Sequence, residues 1–154
     1  MTPPAASFPW PPVLFVSTLA IAWGLTVFLP LPWPGLDDGP AHWIGIAFGI
    51  LGLALIVSGF ATLVGNRTTY LPHRASTKLV TTGPYIRFRN PIYLGEALLL
   101  LFGAEITKSV WFVAAALLFG ILVSVLQIIP EERHLEAAFG EEYLAYKARS
   151  RRWI

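Results

Sequence analysis

The sequence predicts an all-α fold: a polytopic transmembrane helical bundle of about four spans, with a cytoplasmic loop and an amphipathic C-terminal helix. Two observations lead to this prediction. Of the 154 residues, 55% are hydrophobic and only 13% are charged, whereas soluble domains carry about 25% charged residues. The apolar residues also gather into runs close to the roughly 20 residues that cross a bilayer. We therefore expect one integral membrane domain over residues 1–154.

The predicted spans cover residues 13–32, 43–65, 92–106 and 110–129. Pro30, Pro32 and Pro34 are expected to stop the first helix, and a polar tail with helical periodicity follows Pro130 at the end of the last span. The second span carries Gly45, Gly49 and Gly52, whose spacing lets another helix approach closely. Internal packing between spans is the ordinary role of such a row, and a homodimer contact through these glycines is the alternative.

Basic residues determine the predicted orientation. Five lie between the second and third spans and five in the tail, while the GLDDGP loop has none. Because basic segments stay in the cytoplasm, we expect a multi-pass protein of the inner or plasma membrane with both termini cytoplasmic. The basic end of the tail also suits contact with anionic membrane lipids.

The tail after Pro130 has helical periodicity. Leu135, Ala138, Phe139 and Tyr143 follow an i, i+3, i+4, i+8 pattern, which is typical of an amphipathic helix. We expect its apolar side to lie on the membrane surface or to close over the basic loop.

Several kinds of chemistry are excluded by what the sequence lacks. It has no cysteine, and its three histidines do not stand at metal-ligand spacing on one helix, so we expect no metal site. Dinucleotide, phosphate-loop, serine-hydrolase and zinc-protease motifs are missing as well. No nucleic-acid partner is expected.

The segment LVTTGPYIRFRNPIYLGE, residues 79–96, is the first candidate site. Its Gly-Pro pair predicts a turn, and Asn90 with Pro91 predicts a capped helix start. Tyr85 and Tyr93 flank this cap, where tyrosine serves either as a membrane anchor or in function. Glu96 lies inside the third span, and an acid there is a functional hypothesis. The alternative for Glu96 is an ion pair with Arg87 or Arg89.

The second candidate site is the carboxylate pair that follows Pro130. Glu131 and Glu132 suit the N-terminal end of a helix through its dipole. They are equally suited to hold a cationic ligand at the edge of the bilayer.

The two segments together resemble a known superfamily. LVTTGPYIRFRNPIYLG followed by EERHLEAAFGEEYLAYKARSRRW is similar to the motifs of isoprenylcysteine carboxyl methyltransferases and phospholipid methyltransferases. The family pattern is LVxxGPYxxxRHPxYxG, a helical hairpin, and then EExxLxxxFGxxYxxY. The resemblance covers residues 77–153, half of the chain. It implies a small helical membrane enzyme that uses S-adenosylmethionine to methylate a lipophilic acceptor arriving from the bilayer.

The resemblance also implies roles for individual residues. The cofactor would be contacted by Thr77, Lys78, Leu79, Val80, Tyr85, Asn90, Pro91, Ile92, Tyr93 and Glu131. For an amine or thiol acceptor, Glu96 or Glu132 would accept the proton. Two positions depart from the family pattern: Asn90 replaces the histidine of RHP, and Gln127 replaces an arginine that holds a substrate carboxylate in eukaryotic members. Gln127 is therefore the predicted substrate-binding position.

Alternatives remain open at this point. The acceptor is an isoprenylcysteine-like carboxylate, a phospholipid amine or a small thiol. Sterol reductases have a similar C-terminal region and bind NADPH, which makes a reductase the second possibility. A non-enzymatic membrane scaffold that assembles through the glycines of the second span is the third.

Overall fold

The computed structural model describes residues 10–32, 39–66 and 78–154. These residues form five helices, joined in part by a short 3-10 turn at Gly83–Ile86. The helices are α1 (Trp10–Phe28), α2 (Gly39–Gly65), α3 (Pro91–Thr107), α4 (Val110–Phe139) and α5 (Glu141–Arg149). No β-sheet forms in the described part of the chain, so the predicted all-α bundle is confirmed.

Three of the helices, α1, α2 and α4, are long and apolar enough to cross a membrane. The predicted span at 92–106 corresponds to α3, which has 17 residues. At 1.5 Å per residue α3 is about 26 Å long, slightly less than the hydrocarbon thickness of about 30 Å. That α3 crosses the bilayer stays a prediction.

The helices pack in an antiparallel arrangement, with α3 between α2 and α4 and with α1 against α4. The end of α1 is bonded to the start of α4: Trp111 Nε1 donates to the Leu29 carbonyl over 2.8 Å, and Thr26 Oγ1 donates to Ser109 Oγ over 2.8 Å. The start of α1 consequently lies at the same end of the bundle as the C-terminal tail. The side of the membrane on which that end lies stays a prediction.

The core lies where α1, α3 and α4 meet. Phe112, Phe119, Leu100, Val123 and Ile128 are at most 2% exposed. Large apolar side chains elsewhere on α1, α2 and α4 point outward, as expected where hydrocarbon replaces water as the solvent.

The glycine row of α2 packs against α3 of the same chain. A Cβ atom at Gly45 would meet the Glu105 side chain, one at Gly49 would meet Phe102, and one at Gly52 would lie 2.8 Å from the Gly95 carbonyl oxygen. These contacts agree with the internal-packing interpretation. The homodimer through the same glycines stays a prediction.

A buried ion pair closes the end of the bundle opposite the tail. Glu105 is 5% exposed and accepts hydrogen bonds from Lys108 and from His42 Nδ1, the latter over 2.9 Å. Lys108 ends α3 in the left-handed conformation, with φ of 50°.

The helix that contains the last predicted span, 110–129, continues past Pro130 into the tail. A π turn at Ser124–Ile128 precedes this proline, and the Ile129 amide donates to the Ser124 carbonyl five residues back. Proline lacks an amide proton and crowds the carbonyl four residues before it. The widened turn relieves this conflict, so α4 continues to Phe139.

The predicted single amphipathic tail helix is divided in two. Gly140 has a φ of 51° and separates α4 from α5. Of the four residues predicted for the apolar side of the tail, Tyr143 is buried, Leu135 and Phe139 are half-buried, and Ala138 is exposed. Tyr146 is the second buried side chain of α5.

Candidate functional site

The first part of the site is the loop that leads from α2 to α3. Thr77 lies outside the described residues, and the description resumes at Lys78, which donates to Asn66 Oδ1 at the end of α2 over 3.3 Å. Leu79 is half-buried and Val80 is buried. The three predicted cofactor positions at 78–80 therefore lead along the end of α2 toward the Gly-Pro turn.

Tyr85 is held by the turn that the sequence predicts. Gly83 has a φ of 59°, and a Cβ there would lie 2.5 Å from Thr62 Oγ1, so glycine is required on both counts. The Tyr85 amide donates to the Thr82 carbonyl over 3.1 Å. Burial, and then neighbouring Glu131 and Tyr146, raise the pKa of Tyr85 well above its usual value. Its phenol is consequently neutral at physiological pH.

Asn90 stands at the N-cap position of α3, but its side chain makes no capping hydrogen bond. Its Nδ2 atom donates instead to the Arg152 carbonyl, 62 residues further along the chain, over 3.0 Å. The predicted side-chain cap is therefore wrong, and the amide of Asn90 holds the C-terminal tail.

Pro91 and Ile92 face α2 at the start of α3. A Cβ at Gly59 would lie 2.7 Å from Ile92 Cγ1 and 3.7 Å from Pro91 Cγ. Both residues thus help to dock α3 on α2, and their contact with a cofactor stays a prediction.

Aromatic and acidic groups from three elements converge on Tyr93. This phenol lies close enough to Glu131 on α4, Glu96 on α3 and Tyr85 on the turn to interact electrostatically with each. The Oε2 atom of Glu96 is enclosed and has no hydrogen-bond partner among the described residues. The alternative ion pair of Glu96 with Arg87 or Arg89 does not form among the described residues, and the Arg89 guanidinium is bound to Glu132 instead. We call Tyr85, Tyr93, Glu96 and Glu131 the acidic-aromatic cluster.

Gln127 lies in the π turn of α4, four residues before Glu131. It is completely buried, and its Nε2 atom donates to Glu131 Oε2 over 3.4 Å. The π turn shifts the helical register at this point, which brings both side chains to the inner side of α4. Gln127 thus contacts a predicted cofactor residue, while its contact with an acceptor stays a prediction.

Glu132, the second acid of the pair, is engaged by two arginines. Its Oε1 atom accepts from Arg89 Nε and from Arg152 Nε, each over 3.1 Å, and its Oε2 atom accepts from Arg152 Nη2 over 2.6 Å. Hydrogen bonds to the charged form stabilise it and make a carboxylate a weaker base. Of the two predicted bases, the free oxygen of Glu96 is therefore the better suited to accept a proton.

The tail is fastened to the loop by backbone and side-chain bonds. The Arg89 amide donates to the Arg151 carbonyl over 2.7 Å, and the Arg151 amide donates to the Arg87 carbonyl over 2.8 Å. Tyr146 Oη donates to the Tyr85 carbonyl over 2.8 Å. The loop, α4 and α5 therefore form one connected structure around the acidic-aromatic cluster.

An apolar groove of about 500 Å³ runs along the outside of the bundle between α3 and α4. Its lining includes Ala97, Leu117, Gly120, Ile121, Val125 and Trp153. Ala97 follows Glu96 in the chain, and Val125 lies two residues before Gln127. The groove therefore runs along the two helices that carry Glu96 and Glu131.

Sequence reasoning missed three residues that organise the site: Arg89, Tyr146 and Arg152. The motif EEYLAYKARSRRW contained the signal for Tyr146, whose spacing from Tyr143 places both on one side of a helix. The positive-inside pattern accounts for both arginines in the sequence, and for Arg89 the sequence suggests in addition only the alternative ion pair with Glu96. In the described part of the chain, no group of three or more metal-ligating side chains comes together.

Comparison with known proteins agrees with the methyltransferase resemblance of the two motifs. The family model described as phospholipid methyltransferase matches residues 40–142. This range includes α2, α3, the Gly-Pro turn, the π turn and both acids of the pair. No curated protein and no solved structure matches the chain.

Proposed function

Because the chain belongs to the phospholipid methyltransferase family, we propose that it transfers the methyl group of S-adenosylmethionine to a lipophilic acceptor in the membrane. The observation that carries this proposal is the convergence of Tyr85, Tyr93 and Glu131 from three separate elements. Tyr85 and Tyr93 lie in the first family-like motif, LVTTGPYIRFRNPIYLG, and Glu131 begins the second, EERHLEAAFGEEYLAYKARSRRW.

The acidic-aromatic cluster fits this cofactor chemically. A sulfonium cation is attracted to aromatic faces, and an ammonium group is held best by a carboxylate. Tyr85 and Tyr93 offer the faces, and Glu131 and Glu96 offer carboxylates, of which Glu96 has an enclosed oxygen without a partner among the described residues. We assign binding of the amino group to Glu131, and orientation of the cofactor to the two tyrosines.

When bound, the cofactor supplies an electrophilic methyl group: the acceptor's lone pair bonds to the methyl carbon while the bond from that carbon to sulfur breaks. Catalysis of such a displacement rests largely on holding the acceptor in line with the methyl group. The groove beside α3 and α4 is suited to hold an apolar chain with its head group near Glu96.

One observation favours an amine acceptor, such as a phospholipid head group, over an isoprenylcysteine carboxylate. The position that carries arginine in carboxylate-methylating relatives is Gln127, and its side chain donates to Glu131. The neighbouring acids repel a carboxylate but attract an ammonium group, from which Glu96 Oε2 can then take a proton.

The central test is cofactor binding by calorimetry on the purified full chain. We expect Glu131→Ala to abolish measurable binding of S-adenosylmethionine, because it removes the carboxylate that interacts electrostatically with both tyrosines. Glu142→Ala, at an exposed acid on α5, is the matched control and should bind normally. Near-normal affinity in Glu131→Ala would refute the site. Binding of NADPH but not of S-adenosylmethionine would favour the reductase, and binding of neither would favour the scaffold.

The acceptor class is tested by labelling. Membranes that contain the protein are incubated with a cofactor carrying a deuterated methyl group, and the lipid extract is analysed by mass spectrometry. An N-methyl product survives mild base, whereas a methyl ester releases labelled methanol. Release of the label as methanol would establish a carboxylate acceptor and overturn the preference for an amine.

A further inference from the structure

We infer that Tyr146 is a positioning residue for methyl transfer, which acts by fixing the backbone of Tyr85. This inference rests on the proposed function, in which Tyr85 contacts S-adenosylmethionine. Tyr146 itself belongs to α5, and its hydroxyl is already used in a bond to the loop.

The contact between the two residues is well defined. Tyr146 is 3% exposed, and its hydroxyl donates to the Tyr85 carbonyl over 2.8 Å. Burial raises the pKa of Tyr146 to about 12, so the hydroxyl keeps its proton and remains a donor. The carbonyl it holds belongs to Tyr85, whose phenol interacts electrostatically with Glu131.

Tyr146, the donor of this hydrogen bond, is itself held in place by its neighbours. Its ring lies edge-on to Tyr143, with centroids 6.2 Å apart. The end of α5 is fixed by Arg89, whose Nη1 atom donates to the carbonyls of Lys147 over 3.1 Å and Ser150 over 2.6 Å. Because Arg89 also binds Glu132 on α4, the position of Tyr146 is fixed relative to both sides of the cluster.

The turn needs such a support on its outer side. Gly83–Ile86 is a single 3-10 turn, and its inner side packs against α2 through Gly83 and Thr62. Short 3-10 segments have poor hydrogen-bond geometry and are held by their surroundings. The hydroxyl of Tyr146 restrains the outer side, so the Tyr85 side chain is presented in one orientation before the cofactor arrives.

The chain offers a matched control three residues away. Tyr143 is also buried on α5, but its hydroxyl has no hydrogen-bond partner among the described residues. The substitutions Tyr146→Phe and Tyr143→Phe each remove one buried hydroxyl and keep the ring. They differ in whether the lost hydroxyl holds the Tyr85 carbonyl.

The test measures S-adenosylmethionine affinity by calorimetry on the full chain in detergent, together with thermal unfolding without cofactor. Tyr146→Phe should weaken binding about threefold to tenfold, the effect of one lost hydrogen bond. Tyr143→Phe should bind as the wild type does. In a Tyr85→Ala background, Tyr146→Phe should cause no further loss, since the residue through which it acts is gone.

Three results would overturn the inference: unchanged affinity in Tyr146→Phe, an equal loss in Tyr143→Phe, or a loss that persists in the Tyr85→Ala background. The last would mean that Tyr146 serves general stability rather than the orientation of Tyr85. Failure of the proposed function gives a different result, because the wild type would then bind no S-adenosylmethionine, and the inference would fall with it.

Discussion

Arg89 connects more parts of the site than any of the residues predicted to bind the cofactor. Its guanidinium donates to Glu132 on α4 and to two carbonyls at the end of α5, and its amide donates to Arg151. Arginine suits this position because its planar fork carries several donors and never loses its charge. Its side chain is only 11% exposed, so Glu132 is needed to balance a buried charge.

This geometry predicts the effect of removing Glu132. We expect Glu132→Ala to lower the free energy of unfolding by about 3 kcal/mol, because it leaves Arg89 buried without its counter-ion. The control is Glu136→Ala on the same helix, whose ion pair with Lys147 is exposed and is worth less than about 1 kcal/mol. Thermal or chemical unfolding of both variants in detergent measures the difference.

The same pair of variants tests the predicted catalytic role of Glu132. If Glu132 acts as the base, methyl transfer should fall while the unfolding midpoint stays unchanged. We expect instead that Glu132→Ala lowers the unfolding midpoint, and that cofactor binding weakens because the fold is less stable. A stable Glu132→Ala variant with slow turnover would restore the catalytic assignment.

At the scale of elements, the backbones of α2 and α3 approach each other closely at Gly52 and Gly95. A Cβ at Gly95 would lie 2.6 Å from the Gly52 carbonyl oxygen, and one at Gly52 would lie 2.8 Å from the Gly95 carbonyl oxygen. Lipid solvates apolar side chains as well as protein does, so close packing rather than the hydrophobic effect holds such helices together. The contact matters for function because α3 carries Tyr93 and Glu96.

We therefore predict that Gly95→Ala destabilises the protein by about 1–3 kcal/mol, the usual cost of overpacking a tight contact. Gly24→Ala on α1 is the matched control, since a Cβ there meets nothing within 4 Å. Unfolding in detergent compares the two. Equal stability of both variants would contradict the close approach of α2 and α3.

How far the sequence predicts these elements depends on the range of the interactions involved. Apolar runs alone predict the helices, and Gly83 with Pro84 predicts the turn, because both signals are local. The continuation of α4 through Pro130 depends on the π turn, which no residue type marks. The break at Gly140 divides the tail into two helices, so a single helical wheel across it does not describe both.

The same distinction between local and long-range interactions applies to the candidate site. Family-like motifs indicate Tyr85, Tyr93 and Glu131, and the structure brings these three together. The role of Asn90 could not be predicted, because its partner, the Arg152 carbonyl, lies 62 residues away in the chain. A local rule instead assigned it to a helix cap, which is the commoner use of asparagine before proline.

At the scale of the whole molecule, the cluster lies between two different environments. The polar tail and loop cover one side through the bonds of Arg89, Asn90 and Tyr146. The apolar groove lies between α3 and α4 on the outside of the bundle, and Trp153 of the tail lines it. We propose that the cofactor enters from the polar side and the acceptor from the bilayer, so neither has to pass the other.

This arrangement predicts that the acceptor path can be blocked without disturbing the cofactor. Gly120 lines the groove, and a Cβ there meets no atom within 4 Å, so Gly120→Phe adds a ring to the groove without a backbone clash. We expect the KM for the membrane acceptor to rise about tenfold, the effect of losing about 1.4 kcal/mol of ground-state binding. The affinity for S-adenosylmethionine should not change.

Gly24→Phe, at an equally open position on α1, controls for a bulky ring facing lipid. Label transfer to membranes of increasing lipid content measures KM, and calorimetry measures cofactor affinity. Unchanged KM in Gly120→Phe would exclude the groove as the path of the acceptor, and weaker cofactor binding would mean that the two paths are not separate.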